Sequence, residues 1–423
     1  MEINITELNE SLKLAEKLAR ISLCSSRRTK SLFFQQQFEI SKESPEQEEK
    51  PYVPPKHLLL YLVRMGSFTS RPEMKSKDCH DETVYIPTDL EDKFLLDWVK
   101  DQQKGAPPLL RRMYRIAKGR DPTSDNAPFR IMQWNILAQA LGTHADNFVS
   151  CPPSALDWKS RRFRILEEIL FYNPDIICLQ EVDHFKFFER ALKAQGFEGY
   201  FVPKPDSPCI YLPENNGPDG CALFYRSSRF ELVELNTKIL EVWKVQSNQV
   251  AIMAVLRDII SGKEFVVLTT HLKARQGALL ASLRHEQGMD LLSFLEEFRQ
   301  KRPSIVCGDF NAEPNEPVYE VMTNSNPKLS SAYARLNDGE ELPYSTWKIR
   351  GSGEIKHNID YIFFTEDQLT VEGGLDMPTE MEIGPERVPS AAYPSDHFSL
   401  ICDFSFNVHQ SFALRMENLR SRQ

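Results

Sequence analysis

Eight short runs rich in β-branched and aromatic residues recur between Phe129 and Phe406, each bounded by polar or turn-forming residues. They read FRIMQW, DIICLQ, ALFY, VAIMAVL, FVVLTTHL, SIVCGDF, DYIFF and FSLICDFSF. Apolar runs of four to nine residues are the length of strands and too short for ordinary helices. Between some of them the apolar period becomes helical. In Asp157–Phe171, Phe163, Ile165, Leu166, Ile169 and Leu170 fall on one face, and Ala278–Arg299 repeats the pattern. The helices intervene irregularly, which disfavours a strict βαβ repeat and predicts an α/β fold of mixed sheets flanked by helices. One domain over residues 126–406 accounts for all of these elements, and no internal repeat is visible.

Residues 1–125 have a different texture. Ser41–Lys56 is rich in Pro and Glu, and Ser67–Glu82 is similarly polar, so neither can bury a core of its own. This extension is expected to be largely disordered, with a short helix over Ile5–Arg20. That helix carries Glu7, Glu10 and Glu16, unlike the acid-poor transit peptides of mitochondrial proteins. Asp101–Arg120 holds six basic residues against one acidic. It reads as a solvated linker helix, with an anionic partner as the alternative. Asn407–Gln423 reads as a polar or helical tail.

Composition narrows the function classes. No apolar run approaches the length of a spanning helix and no signal-peptide pattern is present, so the expected location is the cytoplasm, with the mitochondrion reachable through another start site. The eight cysteines are scattered without metal-ligand spacing and read as reduced thiols. A net charge of −9 supplies no global basic field for a long polyanion, which favours a small anionic substrate over RNA. A monomer is the default.

Polar residues close the strand-like runs with unusual regularity. FRIMQWN ends in Asn135, DIICLQE in Glu181 and FVVLTTH in His271. SIVCGDFN reaches Asp309 and Asn311, IDYIFF begins with Asp360, and YPSDH carries Asp396 and His397. Taken singly, each is an ordinary turn former or cap. Together they are acids, amides and imidazoles gathered at the rim of a sheet scaffold, where binding residues concentrate. Glu181 and Asn135, with Asp309 as a further candidate, are hard oxygen donors suited to Mg²⁺ or Mn²⁺, and no thiolate set competes with them. Asp360 beside His397 would favour the imidazolium, Asp309 could orient or deprotonate a water, and Asn311 could donate to a phosphate.

The blocks MQWNILA, CLQEVD, PDGCALF, THLKA, GDFNAEP, TWKIR, IDYIFF and YPSDH follow in order the motifs of the endonuclease/exonuclease/phosphatase superfamily, which this chain resembles from Phe129 to Phe406. That superfamily includes deoxyribonuclease I, apurinic endonucleases, inositol-polyphosphate 5-phosphatases and deadenylases. The resemblance implies a deoxyribonuclease I-like four-layered α/β sandwich with two mixed sheets, and Mg²⁺-dependent phosphoester hydrolysis. It makes Glu181 the principal metal ligand with Asn135 beside it. Asp309, Asn311, Asp360, His397 and His271 become the catalytic set, and Lys204, Lys273, Arg275 and Arg350 the substrate-binding cations. The longer strings MQWNILAQALG and NNGPDGCALF resemble a branch that removes the 2′-phosphate of NADP⁺ and NADPH. Such a dinucleotide carries about four negative charges, which a cluster of four cations would match. Alternatively, these cations could pair with neighbouring carboxylates. The rival functions are a poly(A)-specific 3′-exoribonuclease acting on RNA, a hydrolase of another small phosphate ester, and a non-catalytic adaptor. Related deadenylases carry leucine-rich repeats that this sequence lacks.

Overall fold

The computed structural model describes residues 84–87, 92–119 and 127–407. The expected Ile5–Arg20 helix, the two polar stretches at Ser41–Lys56 and Ser67–Glu82, and the tail beyond Asn407 lie outside the described residues. One sheet is built from β1 (Tyr114–Ile116), β2 (Phe129–Asn135), β3 (Ile176–Val182), β4 (Phe197–Pro203) and β5 (Gly220–Arg226), with β14 (Leu369–Leu375) and β15 (Leu400–Phe406), in the order β1-β14-β15-β2-β3-β5-β4. The other contains β6 (Phe230–Val242), β7 (Val245–Asp258), β8 (Glu264–His271), β9 (Ser304–Asp309), β10 (Leu329–Ser331) and β13 (Asp360–Thr365), in the order β10-β13-β9-β8-β7-β6. A hairpin of β11 (Thr346–Arg350) and β12 (Gly353–His357) stands apart from both. Each sheet has one parallel pair, β2 with β3 and β8 with β9, and is otherwise antiparallel.

All eight apolar runs of the sequence are strands, and the expected mixed sheets flanked by helices are present. Side-chain alternation explains why these runs are continuously apolar. Phe129 and Ile131 of β2 point into the core between the sheets, alongside Cys178, Val267, Ile305 and Cys402. Met132 and Trp134 of the same strand point outward, under helices α1 (Asp92–Asp101), α2 (Trp158–Tyr172) and α3 (Phe185–Lys193). On the opposite face, α4 (Ala278–Arg299) and α5 (Pro317–Thr323) cover β7, β8 and β9 through Leu291, Phe294, Val318 and Met322. Three apolar layers therefore separate four layers of structure. The expected helix over Asp157–Phe171 runs from Trp158 to Tyr172, capped by the Asp157 side chain and stopped by Asn173 at φ 47°.

The basic segment ahead of the expected domain start corrects the linker-helix reading. Helix α1 ends at Asp101, and beyond Pro107 and Pro108 the chain runs extended into β1, which pairs with β14. Four of its cations meet carboxylates far away in sequence, while Lys104 pairs locally with Asp101. Arg112 is fully buried, donating to Ser399 O at 2.8 Å and to Glu168 at 3.0 Å, while Arg115 pairs with Asp376 at 3.1 Å. Arg111 meets Glu167, and Lys118 meets Asp338. The local excess of positive charge is thus complementary to the domain itself. Replacing Arg112 with Ala leaves buried Glu168 with only the more distant Arg111, 3.8 Å away, as an ion-pair partner among the described residues, so a loss of about 3 kcal/mol, the lower end for a broken buried pair, is expected in chemical denaturation. An unchanged midpoint would show the segment to be dispensable.

Candidate active site

The candidate residues meet where the two sheets end on the same side. In the second sheet, β8, β9 and β13 are neighbours, and their register sets His271 opposite Asp309 and Asp309 opposite Asp360. Three polar side chains thus lie abreast at adjacent strand ends. In the first sheet, β2 ends in Asn135, whose Nδ2 donates to Glu181 at 3.0 Å and to Asp309 Oδ2 at 2.9 Å, bridging the sheets. Glu181 sits where the β3–β5 register shifts, with φ 55°. This bulge re-aims its carboxylate toward the rim, where Oε2 accepts from Ala138 N at 3.0 Å. Asn311, at φ 51°, turns the chain back just after β9. Its amide N donates to Asp309 Oδ1 at 2.9 Å, and its side chain donates to Leu272 O at 3.1 Å.

His397 is delivered by a loop locked onto the end of β2. Ser395 Oγ donates to Asn135 O at 2.6 Å and accepts from His397 N, while Trp134 Nε1 donates to His397 O at 2.7 Å. The ring Nδ1 lies 2.8 Å from Asp360 Oδ2, and Nε2 lies 3.8 Å from both Asp309 and Asp396. Burial alone would make this imidazole less basic. The carboxylates of Asp360, Asp396 and Asp309 outweigh burial and push its pKa up to about 9. Asp309 behaves oppositely, because burial and then the charge of Asp360 raise its carboxyl to about 7. The rim therefore holds an imidazolium and, beside it, a carboxyl poised near neutrality.

The basic residues separate into two kinds. Lys204 is buried, with Nζ 2.6 Å from Asp219 Oδ2. Arg350 lies 2.7 Å from Asp146 and 3.7 Å from Asp396. Both are held by the protein's own carboxylates. Half-buried Lys273 and exposed Arg275 have no ion-pair partner among the described residues, and burial, Arg275 and Lys204 together lower the Lys273 pKa to about 8. Cations that repel one another, with only Asp206 near Lys273 to offset them, form a receptive site for an external anion.

Sequence reasoning missed Lys348 and Asp146 as parts of the site and noted Asp396, and Asp219 in the NNGPDG block, only in passing. Buried Lys348 donates to Asp396 at 2.6 Å; with His397 and Arg350, it holds that carboxyl far below its ordinary range despite burial. It lies two residues before Arg350 on β11, so strand alternation places both on one face and could have found it. Asp146 carries no such signal. Asp219 sits in NNGPDG beside Gly220, where a Cβ would lie 2.1 Å from Val202 O, so that turn tolerates only glycine.

The donor set fits a hard divalent cation. Glu181 and Asn135 supply oxygens at the rim, and buried Asp360 Oδ1 has no hydrogen-bond partner among the described residues. Asp309, Asp360 and His397 also bring ligand-capable atoms within 4.8 Å, although His397 Nδ1 is already engaged by Asp360.

Fold and site together define a hydrolase equipped for a divalent metal. The model of the Endonuclease/Exonuclease/phosphatase family matches residues 132–397, and the chain belongs to that family. Its relatives include nocturnins. It is 50% identical over 323 residues to Nocturnin of Mus musculus, covering 75% of each chain. It is 46% identical over 400 residues to Nocturnin of Drosophila melanogaster, covering 84% of this chain but only 62% of the fly protein. The human Nocturnin catalytic domain with bound sulfate anion superposes with a TM-score of 0.60 at 43% identity, covering 71% of this chain and all of that one.

Because Asp360 is the strongest of the groups that raise the His397 pKa, Asp360→Asn should lower it from about 9 by about one unit or more. Histidine NMR titration of the full chain reads this directly. An unmoved pKa would assign the shift to Asp396 and Asp309 instead.

Proposed function

We propose that this chain is a Mg²⁺-dependent phosphatase that removes the 2′-phosphate of NADP⁺ and NADPH, yielding NAD⁺ and NADH. The observation that carries the reading is the cation cluster of Lys204, Lys273 and Arg275 near the Asp309 rim, two of whose members have no ion-pair partner among the described residues of a chain of net charge −9. A terminal monoester brings about −1.5 to −2 charges in one compact group, and a pyrophosphate adds more nearby. The sulfate in the human relative is a tetrahedral anion of the same size class as phosphate.

The geometry supports the following division of labour. Glu181 and Asn135 would hold Mg²⁺ or Mn²⁺, which when bound neutralises charge on a phosphate oxygen. Asp309 orients the attacking water and takes its proton, a role suited to a carboxyl raised to about 7. Asn311 stands next to it with a second amide hydrogen free to donate to phosphate. His397, kept cationic by Asp360, faces the charge that grows on the phosphate in the transition state. Arg350, clamped by Asp146, and Lys348 support the same side of the site.

The purified 423-residue chain with Mg²⁺ is expected to release inorganic phosphate from NADPH and to leave an adenylate oligomer intact. Shortening of the oligomer without phosphate release from NADPH would replace this reading with a 3′-exoribonuclease. Glu181→Ala serves as the control and should lose turnover while keeping its circular dichroism spectrum; equal turnover would remove Glu181 from the metal site. Lys273→Met combined with Arg275→Met should raise KM for NADPH by about 10²-fold, since each charge-assisted bond to phosphate contributes on the order of 1.5–3 kcal/mol. A KM unchanged in that variant would refute the anion-binding role of the pair.

A further inference from the structure

Lys204 faces two partners, and they constrain each other. Its Nζ donates to Asp219 Oδ2 at 2.6 Å and lies 3.4 Å from His271 Nδ1. Asp219 is itself fixed, since its Oδ1 accepts from Ser207 Oγ and its backbone N donates to the same hydroxyl at 3.1 Å. The other ring nitrogen of His271, Nε2, lies 3.5 Å from Asp309 Oδ2. An ammonium has three N–H donors and no acceptor, whereas an ionised carboxylate has acceptors only. Because Lys204 offers only donors, a neutral imidazole beside it has one arrangement: Nδ1 accepts from Lys204, and the proton resides on Nε2, facing Asp309 Oδ2.

We propose that Lys204, anchored by Asp219, is a positioning residue that fixes His271 in the Nε2–H tautomer and aims that N–H at the catalytic rim beside Asp309. His271 is buried, and burial with the nearby charges of Lys204 and His397 keeps it neutral, so it carries one ring proton to be placed. Lys204 remains charged despite burial, because Asp219 and Glu181 outweigh the desolvation. With the proton on Nε2, His271 is a neutral donor at the rim, available to Asp309 or to a phosphate oxygen. It cannot serve there as a base. The buried lysine thus acts on the reaction through the imidazole, unlike exposed Arg275.

This inference rests on the proposed phosphatase reading only for its kinetic consequence; the tautomer is independent of substrate. Long-range ¹H–¹⁵N correlation spectra of the full chain, labelled at histidine ring nitrogens and held in Mg²⁺, identify the tautomer, with His271→Gln assigning the signals. The wild-type protein is expected to show His271 protonated at Nε2 only. Lys204→Met should populate both tautomers and lower kcat on NADPH by about 10-fold or more, with a smaller change in KM. An Nδ1–H signature in the wild-type chain overturns the proposal, and so does a Lys204→Met spectrum identical to wild type. A raised KM with the tautomer unchanged would make Lys204 a substrate contact instead. If Lys204→Met fails to fold because Asp219 is left unpaired, the double variant Lys204→Met, Asp219→Leu removes both charges and is read in the same way. A chain that shows the Nε2–H form but releases no phosphate from NADPH would refute the substrate reading and leave the lysine–histidine clamp standing.

Discussion

The face-to-face packing of the two sheets is the constraint on which the site depends. The candidate site's side chains come from both sheets, so their spacing is only as exact as the alignment of one sheet over the other. Large side chains between the layers set the separation, of the order of 10 Å. Lateral alignment comes from polar contacts across the gap, where Gln180 Nε2 donates to Thr269 Oγ1 at 2.9 Å and Asn135 reaches Asp309. The opposite end is sealed by aromatic rings, with Phe129 4.9 Å from Phe265 and 5.4 Å from Phe406 between centroids. Because β2 and β8 each begin at this aromatic end and finish at the polar one, rigidity and chemistry occupy opposite ends of the same strands.

Charge at the polar end is organised in alternation. Asp146, Arg350, Asp396, Lys348, His397, Asp360 and Asp309 form a chain in which nearly every charge has an opposite neighbour. Such a network lets several buried charges coexist in a small volume, since each would be costly alone. The exceptions are informative. Among the described residues Asp360 Oδ1 has no donor, and Lys273 and Arg275 have no ion-pair partner, which leaves room for one cation and one anion brought from outside.

Much of this was legible in the amino-acid order, for identifiable reasons. Strands buried on both faces are continuous apolar runs, so β2, β3, β7, β8 and β9 announce themselves, and polar residues at their ends mark the rim. The 13-residue edge strand β6, alternating and half-exposed, carries no such run and went unread, as did β14 with its adjacent glycines. Residue type showed which side chains could hold metal or phosphate but not how their charges are spent. Lys204 and Arg350 look like free cations in sequence because Asp219 and Asp146 approach them through turns that no periodicity describes. Arg112 escaped for the same reason, since its partners Glu168 and Ser399 are 56 and 287 residues away.

The position of the last strand has a consequence for how the molecule is born. β15 lies in the middle of its sheet, paired with β2 near the start of the domain, and the loop just before it carries His397. A chain emerging from the ribosome can form the hairpins β6–β7 and β11–β12 from local sequence. It cannot close the first sheet until Leu400–Phe406 has been made, because β2 and β14 have nothing between them until then. Nascent chains, and chains cut before Leu400, are therefore chemically silent as well as incompletely packed, and hydrolytic activity appears only once Leu400–Phe406 has taken its place beside β2.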